Sequence, residues 1–365
     1  MEAKLQKYIY EITAPDDAAA AQATKRQERL AKPPHSLGKL EDISIKIAGM
    51  TGKVFNRTDK RRVIVFSSDN GIAEEGVASA PQSVTLAQTI NFTRGLTGVA
   101  VIAKHFNTEL DVIDMGILTD FSCPGVRNEK IAHGTRNFAR KHAMTREECV
   151  KAMLTGIEAA VRAKNEGIEI IGVGEMGIGN TSTSSAVLSA TLNLPAEDTV
   201  SRGGGINDES YERKKRLIDS AIARWKPDPD DPIDVISKVG GFDIAAMCGA
   251  FLGAAWVRMP VVIDGFISAV AAMCAYRIQP LCAGYMISSH ASREKGYRLA
   301  MNEMNLAPML DLDMRLGEGS GCPIAFEIVS AALSVIEDMA TFEEAAIDDG
   351  YLDEIRQNKT YQGEA

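Results

Sequence analysis

Val63-Ile64-Val65-Phe66, running straight into Ser67-Ser68-Asp69-Asn70-Gly71, is the stretch on which the fold turns. A short, continuous apolar run rich in β-branched residues suits a strand buried on both faces, as in a parallel sheet covered by helices. The polar residues and glycine that stop it suit a turn at the strand's carboxyl end. The same grammar recurs along the chain. Leu110-Asp111-Val112-Ile113 stops in Asp114-Met115-Gly116, and Ile168-Glu169-Ile170-Ile171 in Gly172-Val173-Gly174-Glu175. Pro260-Val261-Val262-Ile263 stops in Asp264-Gly265, and Tyr285-Met286-Ile287 in Ser288-Ser289-His290. Helical patterns separate these runs at 83–94, 145–164, 243–258 and 292–305, the second opening on a Thr145…Glu148 capping box. Strands alternating with helices predict an α/β fold with a mostly parallel sheet flanked by helices.

Working outward, the first sixty residues read as helical. Pro15-Asp16-Asp17 starts one helix, and Lys32-Pro33-Pro34-His35-Ser36-Leu37-Gly38 breaks it before another with Leu40, Ile43, Ile47 and Met50 on one face. A second apolar helix is expected near the other end, through Ile324, Phe326, Ile328, Val329, Ala332, Leu333 and Ile336. At 365 residues the chain exceeds the usual single domain, so a large domain with a smaller appendage is expected. A formal net charge of −9 without a basic stripe argues against nucleic acid as a partner. No apolar run approaches a membrane span, and Met1-Glu2-Ala3-Lys4 leads into polar sequence rather than a secretory leader. The six cysteines form no C-x-x-C pair and the five histidines no H-E-x-x-H spacing, so reduced thiols, a cytoplasmic location and no metal site are expected.

Ligands of open parallel sheets bind beyond the carboxyl ends of the strands. Asp69, Asp114, Glu175, Asp264 and His290 all fall at such ends, and five polar strand ends together point to one crevice. Gly172-Val173-Gly174-Glu175-Met176-Gly177 matches G-x-G-x-x-G, yet an acid inside the glycines suits a pyrophosphate badly. A simpler use is one phosphate at a helix start near Gly177, Gly179, Asn180 and Thr181. Arg202-Gly203-Gly204-Gly205, with Lys214 nearby, offers a second phosphate cradle or else a plain surface loop. In Arg315-Leu316-Gly317-Glu318-Gly319-Ser320-Gly321-Cys322 one carboxylate stands among three glycines ahead of an apolar helix. Glu318 suits either an acid or base at a cleft mouth, or the first turn of that helix, where the dipole favours it. The residues alone leave both open.

Several long motifs then occur in a fixed order: Lys32-Pro33-Pro34 with Ser36-Leu37-Gly38, 174–181, Ser237-Lys238-Val239-Gly240-Gly241-Phe242-Asp243, Asp264-Gly265-Phe266 and 315–321. With these the chain closely resembles the nicotinate-nucleotide–dimethylbenzimidazole phosphoribosyltransferase family, which builds the lower ligand of cobamides such as vitamin B12. The resemblance runs from about Ile12 to Met339. It implies a Rossmann-like large domain, 61–319, and a small helical domain from both chain ends, 1–60 plus 320–365. It implies transfer of the 5-phosphoribosyl group from nicotinate mononucleotide to an aromatic base, with inversion and without a metal or other cofactor. It implies Glu318 as general base, Glu175 as a second acidic residue, and Lys214 on the phosphate. The nucleotide is expected at Gly177, Gly179, Asn180, Thr181, Arg202, Gly203, Gly204, Gly205, Lys214 and Asp264. The acceptor is expected against Ala80, Gln88, Met176 and Leu316. Asn70 and Ala80 depart from the family pattern, and a branch of the family pairs two related subunits and uses phenol or p-cresol. The expected assembly is therefore a homodimer, or a heterodimer with a related subunit. The competing expectation is a partner subunit with a mainly structural role.

Overall fold

The computed structural model describes residues 1–358. Helices α1 (Glu2–Glu11), α2 (Asp17–Arg29) and α3 (Lys39–Thr51) precede strand β1 (Arg61–Ser68). Helices α4 (Ser83–Thr93) and α5 (Gly98–His105) lead to β2 (Glu109–Gly116) and the short β3 (Val126–Asn128). Helix α6 (Arg146–Asn165) leads to β4 (Ile170–Met176). Between β4 and β5 (Val261–Ile263) run α7 (Asn180–Leu192), α8 (Ala196–Thr199), α9 (Asp208–Trp225), α10 (Pro232–Val239) and α11 (Phe242–Trp256). Then come α12 (Phe266–Ile278), β6 (Met286–Ser288), α13 (Lys295–Glu303), α14 (Cys322–Asp338) and α15 (Asp353–Asn358).

The six strands form one sheet in the order β3-β2-β1-β4-β5-β6, and every neighbouring pair is parallel. The apolar runs that announced β1 and β5 are buried as expected of strands covered on both faces, and β2 is buried from Val112 onward. Helix α11 is buried along almost its whole length, which explains why its sequence shows no polar stripe. Helix α6 opens with the expected capping box, Thr145 and Glu148 each bonding the other's backbone. The chain leaves β1 toward β2 on one side and later returns to add β4 on the other, so the topological switch point lies between the carboxyl ends of β1 and β4.

Strand β4 differs from its sequence reading. It starts two residues later, at Ile170, and runs through Gly172 and Gly174 to Met176 instead of stopping at the glycines. The register explains this: Gly172, Gly174 and Glu175 still pair with Val63, Val65 and Phe66 of β1. The G-x-G is thus strand, and the helix start that could receive a phosphate comes later, at Asn180. The last strand is also shifted, because Tyr285 ends a 3-10 turn and β6 begins at Met286.

The described chain divides into two compact units. One comprises Met1–Ala14 and Lys60–Ala325 and contains the whole sheet. The other comprises Pro15–Asp59 and the chain from Phe326 onward, with Ala23, Ala48 and Ile336 packed as its core. In this unit the Lys32-Pro33-Pro34 motif has a structural use. Lys32 Nζ lies 2.7 Å from Glu41 Oε1 in a buried ion pair. The same oxygen accepts the Leu37 N–H at 3.0 Å, which ties down the turn at Ser36-Leu37-Gly38. Removing either member of such a buried pair leaves an uncompensated charge, so the two residues are needed together.

Candidate active site

A cleft opens at the switch point. Its floor is the carboxyl end of β4, its walls are the loops after β1, β5 and β6, and its rim includes Arg315-Leu316-Gly317-Glu318. In-register pairing sets Glu175 beside Phe66 at the end of β1, and Asp264 directly follows β5.

Glu318 sits four residues ahead of α14, outside that helix's first turn. Its backbone is left-handed, with φ 64°, between Gly317 at 81° and Gly319 at 84°. Such a conformation costs a non-glycine residue about 1–2 kcal/mol and persists only where its surroundings enforce it. Here they do. The two carboxyl oxygens of Asp264 accept the N–H groups of Gly319 at 3.0 Å and Gly321 at 2.7 Å, and the Glu318 N–H donates to Glu175 Oε1 at 3.3 Å. The floor must also admit the loop: a methyl on Gly174 would stand 2.3 Å from the Glu318 carbonyl oxygen, so only glycine fits there. The Glu318 side chain is 4% exposed. Its Oε2 accepts the Val99 N–H at 3.1 Å, and the Gly98 N–H also bonds the carboxyl, so it rests on the amino end of α5. Burial raises its pKa while the two amides oppose that rise. The first-turn reading of Glu318 therefore fails for α14; the helix amino end that its carboxyl meets belongs to α5, a helix the sequence pattern did not reveal.

Glu175 is 7% exposed and belongs to a buried acidic network. The Asn180 side-chain amide donates to Glu175 Oε2 and, at 3.3 Å, to Asp243 Oδ2. Burial, with Asp243 and Asp264 as like charges, pushes the Glu175 carboxyl up to about 8. Burial pushes Asp264 up to about 7 and Asp243 to about 6, against backbone hydrogen bonds that favour their ionised forms. A pocket whose carboxyls resist ionisation is prepared for a cation: a positive ring or an anomeric centre gaining positive charge would draw their protons off.

Of the residues singled out from sequence, Glu318, Glu175, Gly177, Gly179, Asn180, Thr181, Arg202, Gly203, Gly204, Asp264, Ala80, Gln88, Met176 and Leu316 all line this cleft. Lys214 and Gly205 do not, and neither do two of the five strand-end residues expected to converge there: Asp69 accepts the Leu118 N–H and Asp114 the N–H groups of Gly116 and Ile117. Lys214 is buried behind Thr181, donating to its hydroxyl at 3.0 Å, and burial pushes its pKa down to about 8. The Arg202 guanidinium bonds Asp208 and the Ile206 carbonyl. Gly177–Thr181 forms the turn and first residues of α7, and Gly203 packs against the Thr181 side chain, so backbone donors and a hydroxyl cluster at one end of the cleft. Ala80, Val84, Met176, Ile178 and Leu316 provide apolar wall elsewhere. Sequence reasoning quoted Asp243 without giving it a place, and it missed Ser292 and the amides of Gly98 and Val99. Only the partner side chain reveals Asp243, whereas Ser292 stands two residues past the flagged His290. Among the described residues no cluster of three or more His, Cys, Asp or Glu has the arrangement of a metal site. Nor is any described helix long and apolar enough to cross a membrane.

Comparison with known proteins gives a consistent result. A family model described as phosphoribosyltransferase matches residues 12–347. The nicotinate-nucleotide–dimethylbenzimidazole phosphoribosyltransferase of Clostridium perfringens (strain ATCC 13124) is 53% identical over 357 residues, covering 98% of this chain and 99% of the relative. That of Clostridium tetani is 45% identical over 354 residues, covering 97% and 98%. The crystal structure of the enzyme of that name from Thermus thermophilus superposes with a TM-score of 0.87 at 37% identity, covering 92% of this chain and 100% of that one.

Proposed function

We propose, from the premise that this chain belongs to the nicotinate-nucleotide–dimethylbenzimidazole phosphoribosyltransferase family, that it moves the 5-phosphoribosyl group of nicotinate mononucleotide onto an aromatic lower-ligand base for cobamide synthesis. The observation that carries this is the pairing of two carboxyls at the switch point, Glu318 held on the α5 amides and Glu175 bonded to the Glu318 backbone. The donor's ring nitrogen is already positive, so the bond from it to C1′ breaks with its electron pair returning to the ring and needs no acid. The incoming base attacks C1′ from the opposite face, which inverts the anomeric centre and yields an α-ribotide. Its N–H proton passes to Glu318. Glu175 faces the positive charge that develops on the ribose. The helix start at Asn180 and the loop at Gly203 and Gly204 take the phosphate, and Lys214 supports them through Thr181.

The acceptor lies against Ala80, Gln88, Met176 and Leu316, with benzimidazoles as the favoured class. Phenols belong in any test because Ala80 offers the cleft a methyl and no side-chain hydrogen-bonding group. A purely structural partner subunit is the weaker reading: such a chain has no reason to keep Glu318 buried in a strained backbone. The test is incubation of the purified chain, alone, with nicotinate mononucleotide and a panel of benzimidazoles, purines and phenols, read by mass spectrometry. We expect α-ribotides of benzimidazoles and equimolar nicotinate. No ribotide from any acceptor would overturn the proposal.

A further inference from the structure

We propose that His290 reads a ring hydroxyl of the donor's ribose, accepting its hydrogen bond on Nε2 in a notch left open by Gly265. This deepens the donor assignment above and rests on it. His290 follows β6, lines the cleft and is 2% exposed. Its Nδ1 lies 3.0 Å from Ser289 Oγ. The Ser289 hydroxyl spends its one proton on the Asp264 carbonyl at 3.1 Å, so it meets Nδ1 with a lone pair. The proton of the neutral ring therefore sits on Nδ1. Asp264 Oδ1, 4.0 Å from that nitrogen, favours the same tautomer. Burial lowers the ring's pKa and keeps it neutral.

That leaves Nε2 as an acceptor, and among the described residues it has no hydrogen-bond partner. Its surroundings define where a partner would sit. A side chain built on Gly265 would have His290 Nε2 and Ser292 Oγ at 3.8 Å each, so the missing side chain leaves a small space flanked by both atoms. Gly265 and Ser292 line the same cleft. The Ser292 oxygen accepts the Glu294 N–H at 3.4 Å and keeps its own proton to donate. One acceptor and one donor facing one space match an alcohol, which needs both. The ring fills the space that a side chain at position 321 would need, since a methyl on Gly321 would come 2.3 Å from Nδ1. A phosphate would find a lone pair here where it needs a donor, and an aromatic base would meet Asp264, Ser268 and Ser292 rather than the apolar wall of Ala80, Val84, Met176, Ile178 and Leu316. The ribose of the donor supplies such hydroxyls, and a benzimidazole acceptor has none.

The test pairs substitutions with donor analogues. His290→Asn keeps an amide near Nδ1 and removes the reach of Nε2, whereas His290→Gln places its amide near Nε2. Wild type, both variants and Ser292→Ala would be assayed with nicotinate mononucleotide and its 2′-deoxy and 3′-deoxy analogues. Wild type is expected to favour the full ribotide over one deoxy analogue by roughly 10–100-fold in kcat/KM, the loss from leaving a buried polar group unpaired. In His290→Asn that preference should collapse to within about threefold, because activity on the full ribotide falls while activity on the deoxy analogue barely moves; His290→Gln should restore part of it. Unchanged preference in His290→Asn would overturn the inference while leaving the transferase activity standing. Should His290→Asn fail to fold, retention of full preference in both His290→Leu, which has no acceptor at Nε2, and Ser292→Ala overturns it equally. A wild type that transfers nothing from the full ribotide would overturn the donor assignment and this inference with it.

Discussion

Glu318 combines three features that rarely meet in one structural residue: a left-handed backbone, a buried carboxyl and a seat on a helix amino end. A capping role would need only the last. Glu318→Gln keeps the shape, and its amide oxygen can still accept from Gly98 and Val99, but it cannot take a proton. Turnover is expected to fall by roughly two to four orders of magnitude with little change in the donor's KM, measured by initial rates. The wild-type rate should fall in acid with a limb displaced above the ordinary carboxylate range, because burial raises the Glu318 pKa. A lower melting temperature with near-normal turnover would assign the residue to structure alone. Much of this was legible beforehand, since a lone acid among Gly317, Gly319 and Gly321 ahead of an apolar helix is a local pattern. Its partners were not legible. Gly98 and Val99 lie more than two hundred positions away in sequence, and nothing local in either stretch points to the other. Lys214 shows the converse: its charge and family role suggested a cleft residue, and only packing places it behind Thr181.

At the scale of elements, β4 carries the site by letting another segment lie on it. Its Gly174 is required by approach, with the Glu318 carbonyl where a methyl would stand. Gly174→Ala should therefore push the 317–319 loop off the strand and separate Glu318 from the α5 amides. Turnover is expected to drop by at least about a hundredfold, the scale of a misplaced catalytic group. Stability should fall as well, by about 1–3 kcal/mol, as for overpacking in a core. Calorimetry and initial rates on one preparation read both, and near-wild-type turnover would show that the loop does not depend on the strand. The same strand marks where sequence reading of elements stopped. Runs such as Val63-Ile64-Val65-Phe66 identify buried strands directly, but β4 continues through glycines that usually end one. Helix α7 was legible only at its start, beside Asn180 and Thr181, because Asn180-Thr181-Ser182-Thr183-Ser184-Ser185 is polar yet buried and shows no apolar stripe to mark its course. Strand β3 is three half-exposed or exposed residues on the sheet edge, too short to leave a pattern.

For the whole molecule, the consequence of gathering acids in one buried place is an unusual dependence of stability on pH. Burial raises the pKa values of Asp69, Asp243, Asp264, Glu175 and Glu318, with Glu175 reaching about 8. A carboxyl with a higher pKa folded than unfolded binds its proton more tightly in the native state. Its contribution is then complete below the unfolded value of about 4 and is lost as pH rises through the folded value. Glu148 works in the other sense: burial raises its pKa, but Arg136 and Thr145 together bring it below the usual range, so its contribution is lost only in acid. The ligand-free protein should thus lose melting temperature, by several degrees, between about pH 5.5 and 8.5, where most proteins are level. Glu175→Gln removes the most strongly raised group and should flatten that decline, ending above wild type at pH 8.5. Saturating nicotinate mononucleotide should flatten it too, because a positive ring beside Glu175 and Asp264 makes their ionised forms favourable. Binding should accordingly release protons near neutral pH, seen as a calorimetric enthalpy that differs between Tris and phosphate buffers, and the Glu175→Gln variant should release fewer. A melting temperature level across this range in wild type, with buffer-independent binding enthalpy, would mean these carboxyls ionise freely without the ligand, and Glu175 would then offer no differential stabilisation to a cation.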